Sequence, residues 1–301
     1  MSGSAPAKPF GEVRVGEELL RALLREQHPD LAALPLHEVG SGWDNAVFRL
    51  GDEYCLRLPR RAAAAQLVEN EQRWLPLLAP LLPLPVPVPL RVGAPAQGYP
   101  WAWSVCPWLP GRSAFAAPPL DVSRAATTLG AFLAALHRPA PPEAPHNPMR
   151  GVPLMARAEV FARQLAALTA TLGEETTRRV ERLWTQSLEL PPWRAAPAWV
   201  HGDLHLFNLL TDPTRDGRLA AVIDFGDLCA GDPATDLAVA WMLFDASDRE
   251  RLRRTSGCDD ATWGRARGWA VAFAVVYLAH AAQDPEIGQL GHRLLGRLLD
   301  T

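Results

Sequence analysis

In the first third of the chain, short apolar runs are separated by turn residues. Residues 39–50 open with a Gly-Ser-Gly turn and continue as an apolar strand, residues 51–53 read Gly-Asp-Glu, and residues 54–58 are apolar again. Residues 62–78 then carry apolar side chains at helical spacing, at Leu67, Trp74, Leu75 and Leu78. This succession predicts two strands joined by a turn, followed by one amphipathic helix.

The later part of the chain has a helical pattern. A Pro-rich loop at residues 139–148 separates segments whose apolar residues recur at spacings of three and four, at residues 129–137, 160–172 and 175–190. A longer apolar stretch, residues 269–282, includes His280 and is too short to span a bilayer, which indicates a buried helix. Strands come first and helices later, and this order is typical of an α+β protein.

Two segments near the middle of the chain carry acidic and amide groups at a distinctive spacing. Residues 201–210 read HGDLHLFNLL, and residues 221–228 read AVIDFGDL. Asp203, Asn208 and Asp224 match the Asp-x-x-x-x-Asn and Asp-Phe-Gly positions of kinase catalytic centres. Hard oxygen ligands suit Mg²⁺, whereas a carboxylate kept off the metal can orient a hydroxyl group and accept its proton. The pattern therefore predicts Asp203 as the catalytic residue and Asn208 and Asp224 as metal ligands.

The stretch between these segments reads as two short strands joined at Asp216 and Gly217, which would bring Asn208 and Asp224 to the same place to share a cation. One alternative is an ordinary buried hairpin without catalytic function. Another is a zinc site at His201 and His205, although that pairing needs a helix and a third ligand. For His201 we favour a structural role in which its ring nitrogens bond the loop backbone.

With the following GDPATDLA, the HGDLHxxN and IDFGD segments resemble the aminoglycoside phosphotransferase family of small-molecule kinases. The resemblance covers nearly the whole chain and is strongest over residues 199–244. The family usually has Pro-Gly where Leu206 and Phe207 stand, which leaves the catalytic spacing intact. It also implies that Asp236 braces the backbone of the catalytic loop, although an acidic residue there could equally complement a helix dipole.

The resemblance implies a two-lobed protein-kinase-like fold. We expect residues 1–106 to form a small lobe with an antiparallel β-sheet and one helix, and residues 107–301 to form a larger, mostly helical lobe. In the small lobe, Ser41, Gly42 and Trp43 would lie near the β- and γ-phosphates of the nucleotide. A plain hairpin turn is the alternative for this segment.

The kinase pattern also needs a cation on the returning strand, normally lysine, but Lys8 is the only lysine in the chain. Arg57 stands at that position, and guanidinium differs from ammonium in bulk and geometry. Its partner on the next helix should be Glu71, which lies on the apolar stripe and would be costly to bury alone. Alternatively, Glu71 lies at the rim of the stripe and reaches solvent.

The place where kinase lobes join should follow a Pro-rich connector and a strand within residues 99–111. Pro107 can supply only a carbonyl group and Leu109 an amide N–H, which makes this pair compatible with binding adenine. Both are therefore predicted to contact the nucleotide.

Composition narrows the classes of partner. The chain has 301 residues, 48% of them hydrophobic, and a net charge of −3, which gives no electrostatic case for nucleic acid or an anionic membrane. Four dispersed cysteines and an N-terminus without a signal-like apolar segment favour a reduced, cytoplasmic protein. The sequence leaves the oligomeric state open.

The function predicted from these features is Mg²⁺-dependent transfer of the γ-phosphate of ATP or GTP to a hydroxyl of a small molecule. An aminoglycoside-type or related antibiotic is the first acceptor class. A metabolic kinase for choline, homoserine or methylthioribose is an alternative in the same class. A nucleotide-binding pseudokinase, favoured by the missing lysine, and a zinc hydrolase using His201 and His205 remain alternatives from other classes.

Overall fold

The computed structural model describes residues 11–41, 44–215 and 217–300. These residues fall into two compact units, a smaller one of residues 11–110 with 221–226 and a larger one of residues 111–220 with 227–300. The predicted lobe boundary between residues 106 and 107 stays a prediction, since compactness alone does not define where a lobe ends.

The smaller unit is built on a five-stranded antiparallel sheet. Its strands are β1 (Leu36–Ser41), β2 (Asn45–Leu50), β3 (Tyr54–Pro59), β4 (Arg91–Gly93) and β5 (Trp103–Pro107). The strands lie in the order β1-β2-β3-β5-β4. Two helices complete the unit, α1 (Glu17–Gln27) and α2 (Ala62–Leu78). The predicted pair of strands is β2 and β3 and the predicted helix is α2, whereas α1 and β1 were missed.

The core of the smaller unit lies against one face of this sheet. Leu20, Leu23 and Leu24 of α1 are buried with Phe48, Leu56 and the fully buried ring of Trp103. Alternate residues of β2 point into this core, as expected for a strand with one buried face. The sheet therefore has a fixed register, which positions β3 and its side chains.

The larger unit contains mostly helices and two small sheets. Its helices are α3 (Val122–Leu136), α4 (Ala158–Leu172), α5 (Glu174–Leu188), α6 (Ala234–Leu237), α7 (Val239–Leu243), α8 (Ala246–Ser256), α9 (Asp260–Ala279) and α10 (Pro285–Leu299). Its strands are β6 (Arg112–Ser113), β7 (Ala198–Val200), β8 (Leu209–Asp212), β9 (Arg218–Val222) and β10 (Cys229–Gly231). The sheets have the orders β6-β8-β9 and β10-β7. The predicted strands between the two catalytic segments are thus β8 and β9, while Asp216 lies outside the described residues.

Helix α9 is the centre of the larger unit, where α4, α5, α6 and α10 pack against it. It is buried on almost every side, which explains the uninterrupted apolar sequence at residues 269–279. Four helices begin just after an aspartate whose carboxylate accepts an N–H three residues later, at Asp121, Asp245, Asp259 and Asp284.

The predicted α+β fold, with a small antiparallel sheet and a larger helical part, is confirmed. Among the described helices, none is both long enough and apolar enough to cross a membrane.

Candidate active site

The catalytic loop of the larger unit is held by a buried carboxylate. Asp236 is fully buried and accepts the backbone N–H groups of His201 at 2.7 Å and Gly202 at 2.9 Å. The Nε2 atom of His137 lies 3.1 Å from the same carboxylate. Gly202 has a φ of +86°, and a Cβ there would lie 2.5 Å from the backbone oxygen of Asp227. Of the two alternatives for Asp236, the structure therefore shows the brace.

Asp203 follows this braced turn, and its side chain is 28% exposed. Its Oδ1 accepts a hydrogen bond from Nη2 of Arg150 at 3.0 Å, and its Oδ2 lies 3.3 Å from Nε2 of His205. Burial alone would raise the pKa of Asp203, but His205 and Arg150 outweigh it and hold the pKa well below the ordinary value. The carboxylate is thus ionised and oriented while it stays accessible.

The two histidines of the loop accept backbone N–H groups within it. Nδ1 of His201 accepts from Asp203 at 3.2 Å, and Nδ1 of His205 accepts from Phe207 at 3.3 Å. The predicted structural role of His201 is therefore confirmed. Because Nδ1 of His205 accepts, its proton lies on Nε2, and the neutral ring can donate to Asp203. Within the described part of the chain, no group of three or more His, Cys, Asp or Glu side chains is arranged to hold a metal ion.

Asn208 closes the loop from the other end. Its Nδ2 donates to the carbonyl oxygen of Asp203 at 2.9 Å, and its backbone N–H donates to the carbonyl of His205 at 3.0 Å. The side-chain amide is largely buried and its orientation is fixed. The amide oxygen therefore points away from the bond that Nδ2 makes.

In the smaller unit, Arg57 of β3 joins two carboxylates. Its Nη2 donates to Glu71 of α2 at 3.0 Å and to Asp224 at 2.8 Å. Arg57 and Glu71 are both buried, so the predicted pair is present and the rim alternative for Glu71 is wrong. Asp224 has a φ of +65°, and its side chain is 50% exposed.

Burial and charge shift this group in opposite directions. Burial raises the pKa of Glu71 to about 7, although Arg57 offsets part of that rise. For Arg57, burial lowers the pKa, but the attraction of Glu71 and Asp224 is larger and raises it above its ordinary value. Arg57 is therefore a permanent cation, and the half-exposed carboxylate of Asp224 is held beside it.

The predicted metal ligands have suitable chemistry for Mg²⁺. Asp224 offers a half-exposed carboxylate, and Asn208 offers an amide oxygen whose orientation is fixed. Both are hard oxygen donors, which Mg²⁺ prefers. Because they belong to different units, the idea that they share one cation stays a prediction.

The remaining predicted nucleotide contacts are less well defined. Ser41 is the last residue of β1, and Gly42 and Trp43 lie outside the described residues. Pro107 ends β5, and its carbonyl oxygen accepts from Sγ of Cys55 at 3.7 Å, while Leu109 lies in the irregular segment beyond. The predicted contacts of these five residues with a nucleotide stay predictions.

Sequence reasoning missed two residues beside Asp203. Arg150 comes from the irregular segment after the Pro-rich loop, and its Nε lies 3.8 Å from the Asp227 carboxylate. Nδ2 of Asn147 donates to the other oxygen of Asp227 at 2.7 Å. Asp227 had a signal, because it directly follows the Asp-Phe-Gly triplet. Arg150 had none, since it lies 53 positions before its partner.

The larger unit also has a cavity of about 450 Å³ that contains none of the predicted site residues. Its lining is mostly apolar and includes Trp193, Leu154 and Pro192. The charged residues in its lining, Asp232 and Arg265, bond each other at 2.7 and 3.1 Å. Asp232, predicted as a helix N-cap, therefore bonds both Arg265 and the N–H of Ala234, the latter at 3.0 Å.

Comparison with known proteins gives concordant results. The sequence model of a family described as "Phosphotransferase enzyme family" matches residues 35–269. Viomycin phosphotransferase from Streptomyces vinaceus is 32% identical over 162 residues, and the match spans 53% of each chain, about half of that relative's length.

Two solved structures show the same fold. The GDP complex of wild-type aminoglycoside 2'-phosphotransferase-IIIa has a TM-score of 0.73 at 21% identity, covering 95% of this chain and 99% of the other. Macrolide 2'-phosphotransferase type I has a TM-score of 0.59 at 21% identity, covering 92% and 96%. These similarities confirm the predicted kinase-like fold.

Proposed function

This chain belongs to the phosphotransferase enzyme family, and from that premise we propose that it transfers the γ-phosphoryl group of ATP or GTP to a hydroxyl of a small molecule, with Mg²⁺. The observation that carries the proposal is the Asp203 carboxylate, ionised and partly exposed in a loop whose backbone is fixed by Asp236. Side chains that only stabilised the fold would not require an accessible carboxylate at this position.

Asp203 orients the acceptor hydroxyl in this mechanism. Its low pKa makes it a weak base, so it accepts a hydrogen bond from the hydroxyl in the ground state. The proton passes to Asp203 late, as the bond from the acceptor oxygen to phosphorus forms and the bond from phosphorus to the bridging oxygen of the leaving nucleoside diphosphate breaks. His205 and Arg150 keep the carboxylate in place through this step.

The nucleotide is assigned to the smaller unit. Arg57 would contact its phosphates, and Glu71 holds the guanidinium at a fixed position on β3. Asn208 and Asp224 would hold Mg²⁺, which neutralises charge on the phosphate oxygens when it is bound. The name of the GDP complex supports a guanine nucleotide as well as ATP for this chain.

The acceptor predicted from the sequence is an aminoglycoside-type or related antibiotic. The names of viomycin phosphotransferase and of the aminoglycoside and macrolide enzymes support that class. A metabolic hydroxyl compound is the other acceptor class. The cytoplasmic location stays a prediction.

A nucleotide-binding regulator without turnover is the second candidate function. Arg57 in place of lysine favours it, because a planar guanidinium presents its N–H groups differently from an ammonium. Its expected behaviour is nucleotide binding without diphosphate release for any acceptor.

The test is release of ADP or GDP from Mg-ATP or Mg-GTP across aminoglycosides, peptide antibiotics, macrolides and metabolite alcohols. Asp203→Ala should abolish acceptor-dependent release and leave nucleotide affinity nearly unchanged. Asp260→Ala is the matched control, since its side chain is 94% exposed, and it should keep full activity. Full turnover in Asp203→Ala would sink the assignment, and nucleotide binding without release would favour the regulator.

A further inference from the structure

Arg150 uses little of its hydrogen-bonding capacity. Its Nη2 donates to Asp203 at 3.0 Å, but its Nε is buried and has no hydrogen-bond acceptor among the described residues. The guanidinium lies over the ring of Phe273 at 5.2 Å, and the side chain is 17% exposed. The backbone is also fixed, because Oδ1 of Asn147 accepts the N–H of Arg150 at 3.1 Å. Arg150 is thus a rigid cation with N–H groups available next to the catalytic carboxylate.

A second arginine lies near Arg150. Arg157 is the last residue of the short 3₁₀ turn Leu154–Arg157 and is half-buried. In the described part of the chain, no carboxylate or other acceptor bonds its guanidinium. Burial, and after it the positive charge of Arg150, lower the pKa of Arg157. A half-buried cation next to a like charge is unfavourable unless an anion joins it.

The charges around Asp203 leave this cation in excess. Arg150 faces both Asp203 and Asp227, so these two carboxylates share one guanidinium. Arg157 has no such partner among the described residues. A polycationic acceptor would meet repulsion from Arg157, whereas a carboxylate or phosphate group would be attracted and could be bound bidentately.

We propose that Arg150 and Arg157 form an oxyanion subsite beside Asp203 that binds a carboxylate or phosphate substituent of the acceptor. The inference rests on the proposed function and narrows its acceptor to a hydroxyl compound that carries an anionic group. Arg157 supplies the main charge of the subsite, and Arg150 connects the subsite to the carboxylate that orients the hydroxyl. The antibiotic class remains open only to members with such a group.

The first experiment measures binding and does not depend on turnover. Inorganic phosphate and acetate are titrated calorimetrically into the full chain with Mg-ADP at saturation. We expect saturable binding that is weakened about tenfold or more in Arg157→Gln, because a charge-assisted contact is lost. Arg163→Gln is the matched control on the exposed side of α4 and should bind like the wild type. Absence of saturable binding, or equal binding by Arg157→Gln and the wild type, overturns the subsite.

The second experiment identifies the source of the anion. Hydroxy acids are compared as acceptors with their neutral amides, for example homoserine with homoserine amide, alongside the cationic antibiotics. Arg157→Gln should raise KM for the acid about tenfold and leave kcat, the nucleotide KM and the amide unchanged. An equal loss of kcat for acid and amide would assign the arginines to the transferred phosphoryl group and refute the acceptor assignment. Turnover of polycationic acceptors alone would also refute it.

The two experiments separate this inference from the proposed function. If no acceptor supports diphosphate release, the proposed function fails, and the phosphate titration still decides whether the oxyanion subsite exists. If release occurs but Arg157→Gln behaves like the wild type in both experiments, the function stands and the subsite is wrong.

Discussion

Removing the Asp236 carboxylate should destabilise the larger unit more than removing an ordinary helix cap. Asp236 is fully buried and accepts two backbone N–H groups, from His201 at 2.7 Å and Gly202 at 2.9 Å. His137 contacts the same carboxylate at 3.1 Å. In Asp236→Ala both N–H groups of the catalytic loop would be buried without an acceptor.

The magnitude follows from these two bonds. A hydrogen bond to a charged group contributes about 1.5–3 kcal/mol, so the loss of two should lower the free energy of unfolding by about 3–6 kcal/mol. Asp245 provides the comparison, because its carboxylate accepts the single N–H of Asp248 at 3.0 Å at the start of α8. The loss of that cap should cost about 1 kcal/mol.

The assay is urea-induced unfolding of the wild type, Asp236→Ala, Asp236→Asn and Asp245→Ala, followed by far-ultraviolet circular dichroism. Asp236→Asn keeps one acceptor oxygen and should fall between the wild type and Asp236→Ala. If Asp236→Ala lost no more stability than Asp245→Ala, the brace would not hold the loop, and the reasoning would be wrong.

Three further changes test the site. Arg57→Ala should cost about 3–5 kcal/mol in urea unfolding, because its glutamate partner stays buried without a cation; restored stability on replacing both partners with apolar residues is expected, and no loss in the single variant would contradict the pairing. The pKa of Asp203 lies below the ordinary 3.8, so its stabilisation is complete above pH 3.8 and is lost as the pH falls below that value. Arg150→Gln should raise that pKa and move acid unfolding, measured by circular dichroism, to higher pH, and an unchanged midpoint would count against the ion pair. Gly202→Ala should cost more than Gly257→Ala, since both have positive φ but only Gly202 meets a backbone oxygen at 2.5 Å; equal losses in thermal unfolding would argue against that close approach.

Helical periodicity was enough to find part of the ionic group. Glu71 lies four positions from apolar residues on either side, so the sequence placed it on the buried face of α2. A buried carboxylate needs a partner, and Arg57 was the cation at the matching position of the neighbouring strand. What the sequence could not show is that Asp224 bonds the same guanidinium, because its partner lies 167 positions away.

The role of Asp236 shows where sequence reasoning stops. Its place in the first turn of a helix fitted either a brace or a favourable interaction with the helix dipole. Helix α6 has only four residues, and both carboxylate oxygens of Asp236 point to the loop at His201 and Gly202. The choice was decided by a contact across 35 positions.

The sequence by itself determined the order of strands and helices, the family and the spacing of Asp203, Asn208 and Asp224. These properties depend on local periodicity and short motifs, in which the chemistry lies within a few residues. The tertiary structure alone decided what surrounds the catalytic carboxylate, since Arg150 reaches it from an irregular segment that has no periodicity. Side chains brought together by packing between distant segments carry no local pattern, and the charge that they place beside Asp203 emerges only when the chain folds.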